Sequence, residues 1–257
     1  MLELKEITKK YEVFPAVDNI SFSVKPSEVL GYLGPNGAGK TTTIKMLVGL
    51  IDPTDGEIYF QGNNIKGNLY EYKKRIAYVP EEPAIYPHLS AYDYLLMVGR
   101  LRNIPEKALK EKIEQFMRLF HLSLDMHSSI SSYSKGMVQK VLLSAALLHN
   151  PDILFLDEPL SGLDVETGLI IRDLIHRLSR EGKIIFYCSH ILEVVEKICS
   201  RVIIIHKGKI VADDSVEHLR GLMRLPSLEE IFNQLVVQGN TESVAQKLIE
   251  AMKYQRE

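Results

Sequence analysis

The sequence GPNGAGKT (34–41) decides the fold, because it satisfies the pattern GxxxxGK[ST] in the setting that gives the pattern its meaning. The stretch before it, VLGYLG (29–34), is apolar and typical of a buried strand. The apolar residues after it recur at helical spacing: Ile44, Leu47, Val48 and Ile51. The sequence therefore predicts a strand, a glycine-rich loop and a helix in direct succession.

A loop of this kind binds phosphate, because glycines let successive backbone N–H groups point at phosphate oxygens beside the positive end of a helix. Lys40 adds a positive charge for the β and γ phosphates, Thr41 can supply a hydroxyl to Mg²⁺, and Thr42 can reach the α phosphate. The competing interpretation, a glycine turn before an ordinary helix, is disfavoured by the strand and helix on either side. The predicted phosphate-binding residues are Gly34, Pro35, Asn36, Gly37, Ala38, Gly39, Lys40, Thr41 and Thr42.

A second motif, ILFLDE (153–158), joins an apolar run to two acids. The run predicts a buried strand that delivers Asp157 and Glu158 to its carboxyl end, where open α/β sheets bind ligands. Asp157 can hold Mg²⁺ or its water, and Glu158 can orient and deprotonate an attacking water. The competing interpretation is a pair of solvated acids at a strand end, which is weak beside the phosphate loop.

The remaining pattern predicts an α/β core with two additions. Ile20, Phe22 and Val24 alternate with serines, and the turn DPTDG (52–56) precedes EIYF (57–60), so an antiparallel sheet should flank the core. Residues from about 90 to 149 carry helical periodicity, on Leu109, Ile113, Phe116 and Phe120 and then on Val138, Val141, Leu142 and Ala145. The runs IIFYC (184–188) and VIII (202–205) then alternate with helical segments, as buried parallel strands do.

Bulk composition excludes several classes of protein. The 257 residues are 46% hydrophobic, which suits a packed core, and 31 basic against 33 acidic residues create no overall field for nucleic acid or anionic lipid. No apolar run reaches half of the roughly 20 residues that span a bilayer, and MLELKEITKK is no secretory signal, so we expect a soluble intracellular chain. Cys188 and Cys199 lack metal-site spacing and are interpreted as buried thiols.

The motif YSKGM (133–137) stands shortly before ILFLDEP (153–159). With these motifs in this order, the chain resembles the nucleotide-binding domains of ATP-binding cassette (ABC) transporters over about residues 1–215. The resemblance implies a P-loop NTPase (RecA-like) core with a flanking antiparallel β subdomain and an α-helical signature subdomain inserted at about 84–150. Residues 216–257 would form a C-terminal helical extension.

In that family two cassettes pair head to tail, and the resemblance carries this over to three residues. Ser134 and Gly136 of YSKGM would contact the γ phosphate bound by the partner cassette, at the start of the signature helix. Asp164 of SGLD (161–164) would lie near the opposite site. Taken alone, Ser134 is equally typical of a helix N-cap.

The resemblance also assigns His190, after the strand IIFYC, as the switch histidine that bonds the γ phosphate, so that Lys40, Glu158 and His190 form the catalytic group. Tyr11 stands where the family stacks an aromatic side chain on adenine, although a sheet-packing tyrosine would fit the same position. In YVPEE (78–82), Glu81 replaces the usual glutamine beside Mg²⁺, and its carboxylate can still ligate the ion. Lys135 and Met137 are further departures from the usual signature.

The resemblance implies an ATP-binding subunit that binds ATP and Mg²⁺. It would hydrolyse ATP as a dimer, with a second copy or a homologous cassette, and so drive transport through a separate integral membrane permease. The departures from the usual motifs resemble those in cassettes of bacterial efflux systems with separate permeases, so export is expected, with the subunit on the cytoplasmic face of the cell membrane. A second hypothesis is a soluble ABC ATPase acting on ribosomes or DNA, disfavoured because the chain has one cassette, no sustained heptads and no basic stripe. No nucleic-acid partner is expected, and phosphotransfer to a small molecule is disfavoured because nothing resembles an acceptor lid.

Overall fold

A computed structural model describes residues 1–12, 14–83, 85–189, 191–223 and 227–236. Its strands, in chain order, are β1 Leu2–Tyr11, β2 Phe14–Val24, β3 Val29–Leu33, β4 Asp55–Phe60, β5 Asn63–Asn64, β6 Ile76–Val79, β7 Ile153–Asp157, β8 Ile184–Cys188, β9 Arg201–His206 and β10 Lys209–Ser215. Its α-helices are α1 Lys40–Leu47, α2 Leu69–Lys74, α3 Ala91–Leu101, α4 Glu106–Leu119, α5 Lys135–Leu147, α6 Val165–Arg180, α7 Leu192–Ile198, α8 Val216–Met223 and α9 Leu228–Val236.

The strands form two sheets, as the sequence predicts. The smaller sheet is antiparallel with the order β2-β1-β4-β5, and its alternating residues Ile20, Phe22 and Val24 face the interior. The larger sheet has the order β10-β9-β3-β8-β7-β6, in which β9, β3, β8, β7 and β6 run parallel. The antiparallel edge strand β10 is not among the predicted elements.

The larger sheet is covered on both faces, because successive residues of its central strands point to opposite sides. Tyr32, Phe155 and Phe186 belong to an aromatic cluster that packs against the smaller sheet and α1. Leu33 and Leu156 point the other way, into a core with the helices that run from α3 to α9. The result is three layers, with the larger sheet in the middle.

Helix α1 begins and ends at glycines. The sequence pattern extends the apolar stripe to Ile51, but the helix ends at Leu47 because Gly49 adopts φ +68°. The amide of Gly49 donates to Met46 O and that of Leu50 to Lys45 O, which is the Schellman arrangement that closes a helix. Ile51 therefore lies beyond the helix.

Among the described residues, no helix is long and apolar enough to cross a membrane. Cys188 and Cys199 are both buried free thiols, as the sequence predicts. Helices α3, α4 and α5 lie between β6 and β7 in the chain, and residues 90–149 are mainly helical, in agreement with the periodicity.

Candidate functional site

The glycine-rich loop joins β3 to α1 and is packed closely against β9 and β2. A Cβ at Gly34 would lie 2.4 Å from the carbonyl oxygen of Ile205, and one at Gly39 would lie 2.4 Å from that of Ala16. Gly39 also adopts φ +110°, a conformation in which a side chain is strained. Only glycine therefore fits these two positions.

Lys40 is the first residue of α1, and its ammonium donates to the carbonyl oxygens of Gly34 (2.6 Å) and Pro35 (3.1 Å). The start of α1 has no side-chain cap and no acidic residue in its first turn. The first backbone N–H groups of a helix have no acceptor within the helix, so they can bind an anion, and the helix dipole favours negative charge there.

Strand β7 delivers the two acids to the same edge of the sheet, as predicted. Asp157 is its last residue and is 4% exposed. Burial and, after it, the charges of Glu81 and Glu158 raise the pKa of Asp157 to about 6, while the charge of Lys40 opposes them. A cation beside this carboxylate would favour its ionised form.

Glu158 follows β7 in a conformation that few residues with a side chain adopt. Its φ is +49°, and its main chain is fixed by an amide that donates to Cys188 O (2.9 Å) and a carbonyl that accepts from Ser161. Glu158 is 8% exposed, and the hydroxyl of Ser189 donates to its Oε2 over 2.9 Å. The side chain is thus held in a defined position.

These groups meet in one cleft of about 370 Å³. Its lining residues are Tyr11, Ala16, Asn36, Gly37, Gly39, Lys40, Thr41, Thr42, Glu81, Asp157 and Glu158. The cleft thus brings together predicted residues from four separate segments of the chain. Tyr11 is 52% exposed, so its ring is open to a ligand.

Ser134 and Gly136 lie elsewhere, where the start of α5 packs on the loop that follows Glu158. Ser134 caps α5 by accepting from the amide of Met137, which is the alternative role that the sequence left open. A Cβ at Gly136 would lie 2.4 Å from the carbonyl oxygen of Gly162. None of these residues lines the cleft of its own chain.

Asp164 also acts within its own chain, as the N-cap of α6. It accepts from the amide of Thr167 (2.8 Å) and its hydroxyl (2.7 Å), and Lys140 lies 3.2 Å from its Oδ2. The hydrogen bond from the backbone amide of Thr167, with these other contacts, holds the pKa of Asp164 well below its usual range. The side chain is 55% exposed and remains accessible from solvent.

His190 lies outside the described residues. Two buried polar side chains close to Glu158 were not among the residues predicted from the sequence. Ser189 is 3% exposed and bonds the carboxylate, and Gln139 is 3% exposed and donates to Pro159 O over 3.1 Å. A polar residue at the end of an otherwise apolar strand pattern was the only available signal for Ser189.

Comparison with known proteins gives a consistent result. Residues 17–161 match the model of the family described as ABC transporter. The ABC transporter ATP-binding protein NatA of Bacillus subtilis (strain 168) is 35% identical over 244 residues, which cover 93% of this chain and 99% of NatA. The bacitracin transport ATP-binding protein BcrA of Bacillus licheniformis is 38% identical over 221 residues, 86% of this chain and 71% of BcrA.

Solved structures share the fold. The ATP-binding subunit of an ABC transporter superposes with a TM-score of 0.85 at 29% identity, over 91% of this chain and 99% of that subunit. An ATP-binding cassette solved as a dimer, in a post-hydrolysis state with ADP and Pi, has a TM-score of 0.77 at 24% identity, over 84% and 98% of the two chains. The second likeness concerns the fold alone.

Proposed function

Since the chain belongs to the ABC transporter family and carries its ATPase domain, we propose that it is the ATP-binding subunit of an exporter whose permease is a separate membrane protein. The observation that carries the proposal is the single cleft that Lys40, Thr41, Asp157 and Glu158 line together. A phosphate loop, a buried acid and a second acid are the parts that triphosphate hydrolysis requires.

The loop of residues 34–42 would bind the nucleotide. Its amides and the start of α1 would surround the phosphates, Lys40 would neutralise the β and γ phosphates, and Thr42 would reach the α phosphate. Tyr11 would stack on adenine, a contact that its half-exposed ring at the rim of the cleft supports.

A magnesium ion fits the oxygen donors of this cleft, namely the hydroxyl of Thr41 and the carboxylates of Asp157 and Glu81. The described residues contain no group of three or more His, Cys, Asp or Glu side chains able to hold a metal by themselves. That agrees with Mg²⁺, which proteins usually bind through one or two carboxylates together with substrate phosphates and waters. When bound, the ion would neutralise charge that develops on the phosphates.

Glu158 would orient the attacking water and accept its proton. The burial of its carboxylate and its fixed main chain suit a base that must hold one position. His190 would bond the γ phosphate, as the family resemblance implies. Both roles are proposals that substitution can test.

A second cassette would complete the site. Ser134 and Gly136 would contact the γ phosphate held by the partner, and Asp164 would lie near the opposite cleft. The exposure of Ser134 and Asp164 leaves both accessible to a partner. A cassette with the same fold has been solved as a dimer, which is consistent with the pairing of two copies. ATP would then close the dimer, and hydrolysis would open it.

The permease would bind a groove of about 310 Å³ that we call the α3 groove. It is lined by Val48, Leu50, Tyr70, Lys73, Lys74, Ile76, Tyr78, Leu101, Arg102 and Asn103. Leu50, Tyr70 and Leu101 are between 59% and 76% exposed, and the lining residues include three cations and no carboxylate. An amphipathic segment with acidic residues would suit such a surface.

Strand β6 connects the groove with the cleft, because Tyr78 of β6 lines the groove and Glu81, shortly after β6, lines the cleft. The resemblance of the sequence to efflux-type cassettes favours export.

The test measures ATP turnover and the oligomeric state of the wild type and of Glu158→Gln. We expect Glu158→Gln to bind ATP, to lose about 10² to 10⁴ in turnover, and to accumulate as an ATP-dependent dimer on light scattering. Lys40→Ala should weaken nucleotide binding itself. Native turnover in Glu158→Gln would mean that another group is the base, and unchanged ATP affinity in Lys40→Ala would remove the loop from the site.

A further inference from the structure

Ser189, the residue that follows strand β8, holds the carboxylate of Glu158. Its hydroxyl Oγ lies 2.9 Å from Oε2 of Glu158, although the two residues are 31 positions apart in the chain. Both side chains are buried, at 3% and 8% exposure. A hydrogen bond made under such conditions is well shielded from competing water.

The direction of this bond is determined by chemistry. An ionised carboxylate only accepts, so the proton in the bond belongs to Ser189. The amide of Ile191 donates to the same Oγ over 3.1 Å and occupies one of its lone pairs. The hydroxyl therefore accepts one hydrogen bond from the main chain and donates one to Glu158.

The main chain of Glu158 is held from the same side. Its amide donates to Cys188 O, the residue before Ser189, over 2.9 Å. Two successive residues at the end of β8 thus fix the backbone and the carboxylate of Glu158. Such support matters because the φ of +49° is a conformation that only its surroundings maintain.

We propose that Ser189 is a positioning residue for ATP hydrolysis, one that orients the carboxylate of Glu158 toward the attacking water. The inference rests on the proposed role of Glu158 as the base. Ser189 does not line the cleft and is not assigned to contact the nucleotide. Its loss should therefore lower kcat while the affinity for ATP is retained.

The experiment compares Ser189→Ala, Ser189→Thr and the wild type by steady-state ATP hydrolysis and by equilibrium ATP binding. We expect Ser189→Ala to lose roughly 10-fold or more in kcat, because a bond to a charged group is removed, with KM and the dissociation constant for ATP nearly unchanged. Ser189→Thr restores a hydroxyl and should recover most of kcat.

Ser179→Ala is the matched control. Ser179 lies near the end of α6, and its buried hydroxyl donates to the main-chain carbonyl of Ser27. The substitution should lower the melting temperature about as much as Ser189→Ala and leave kcat unchanged. Equal losses of kcat in the two variants would reduce Ser189 to a structural role and overturn the inference. So would native kcat in Ser189→Ala or a loss confined to ATP affinity.

Glu158→Gln separates this inference from the proposed function. If that variant hydrolyses ATP at the native rate, the role of Glu158 itself fails. If Glu158→Gln is inactive while Ser189→Ala turns over normally, only the positioning role of Ser189 fails.

Discussion

At the scale of the residue, side chains at the ends of strands line the cleft, and a buried hydrogen bond supports one of them. Lys40, Asp157 and Glu158 were predictable because each lies in a segment that comes after an apolar run typical of a strand, and parallel strands place such segments at one edge of the sheet. The bond from Ser189 to Glu158 was not predictable, because it depends on two strands becoming neighbours. No local pattern encodes a contact of that kind.

His149 shows another consequence at this scale, a dependence of stability on pH. Its Nε2 lies 3.0 Å from the carbonyl oxygen of Ile76, which can only accept, and its buried Nδ1 has no partner among the described residues. Protonation would bury an unpaired N–H near several cations. Burial, and then the charge of Arg102, accordingly lower the pKa of His149 to about 4.

We therefore expect the free energy of unfolding to decrease as the pH falls from about 6.5 to about 4. In that range the unfolded chain binds a proton at this position that the folded chain excludes, so acid favours unfolding. His149→Gln should make the decrease shallower in denaturant titrations at several pH values. The substitution His121→Gln, at an exposed histidine, serves as the control. Parallel curves for wild type and His149→Gln would contradict this account.

At the scale of the element, periodicity predicted the existence of helices and strands, whereas glycine geometry set their ends. The apolar stripe of α1 continues to Ile51, and only the left-handed Gly49 stops the helix at Leu47. Strand β10 was missed, although Lys207 and Gly208, both with positive φ, form the two-residue turn of a β-hairpin. That pair of residues was the signal available in the sequence.

Gly39 and Gly37 allow a test of the start of α1. Both have positive φ, but a Cβ at Gly37 meets nothing within 4 Å, whereas one at Gly39 meets a main-chain oxygen at 2.4 Å. Gly37→Ala should cost about 1 to 2 kcal/mol of backbone strain. Gly39→Ala should cost about 1 to 3 kcal/mol more, because the loop must move to relieve the contact. Unfolding of the nucleotide-free proteins in denaturant measures the difference, and equal losses would show that the contact relaxes freely.

At the scale of the whole molecule, the three-layered fold carries two surfaces with different proposed tasks, the cleft and the α3 groove. The cleft lies at the carboxyl ends of β3 and β7, and the α3 groove lies beside β6, with the larger sheet common to both. The sequence predicted this layered α/β architecture from its alternating strands and helices. It could not predict the α3 groove, because the groove arises where residues far apart in the chain meet.

The α3 groove can be tested with two leucines of similar exposure. Leu101 lines it and is 76% exposed, whereas Leu119, at the end of α4, is 66% exposed and lies outside it. We expect Leu101→Asp to lose co-purification with an integral membrane protein from detergent-treated native cells, because a carboxylate disrupts the apolar contact. Leu119→Asp should retain it, and both should hydrolyse ATP in solution. Retained co-purification in Leu101→Asp, or its loss in both variants, would place the permease contact elsewhere.

The order of the strands also bears on how the protein is made. Strand β8 pairs with β3 on one side and with β7 on the other, although it is synthesised after both. A growing chain that has not yet emerged past residue 188 can form the glycine loop but cannot hold it beside the two acids. The nascent protein should therefore be unable to consume nucleotide until most of its length has left the ribosome.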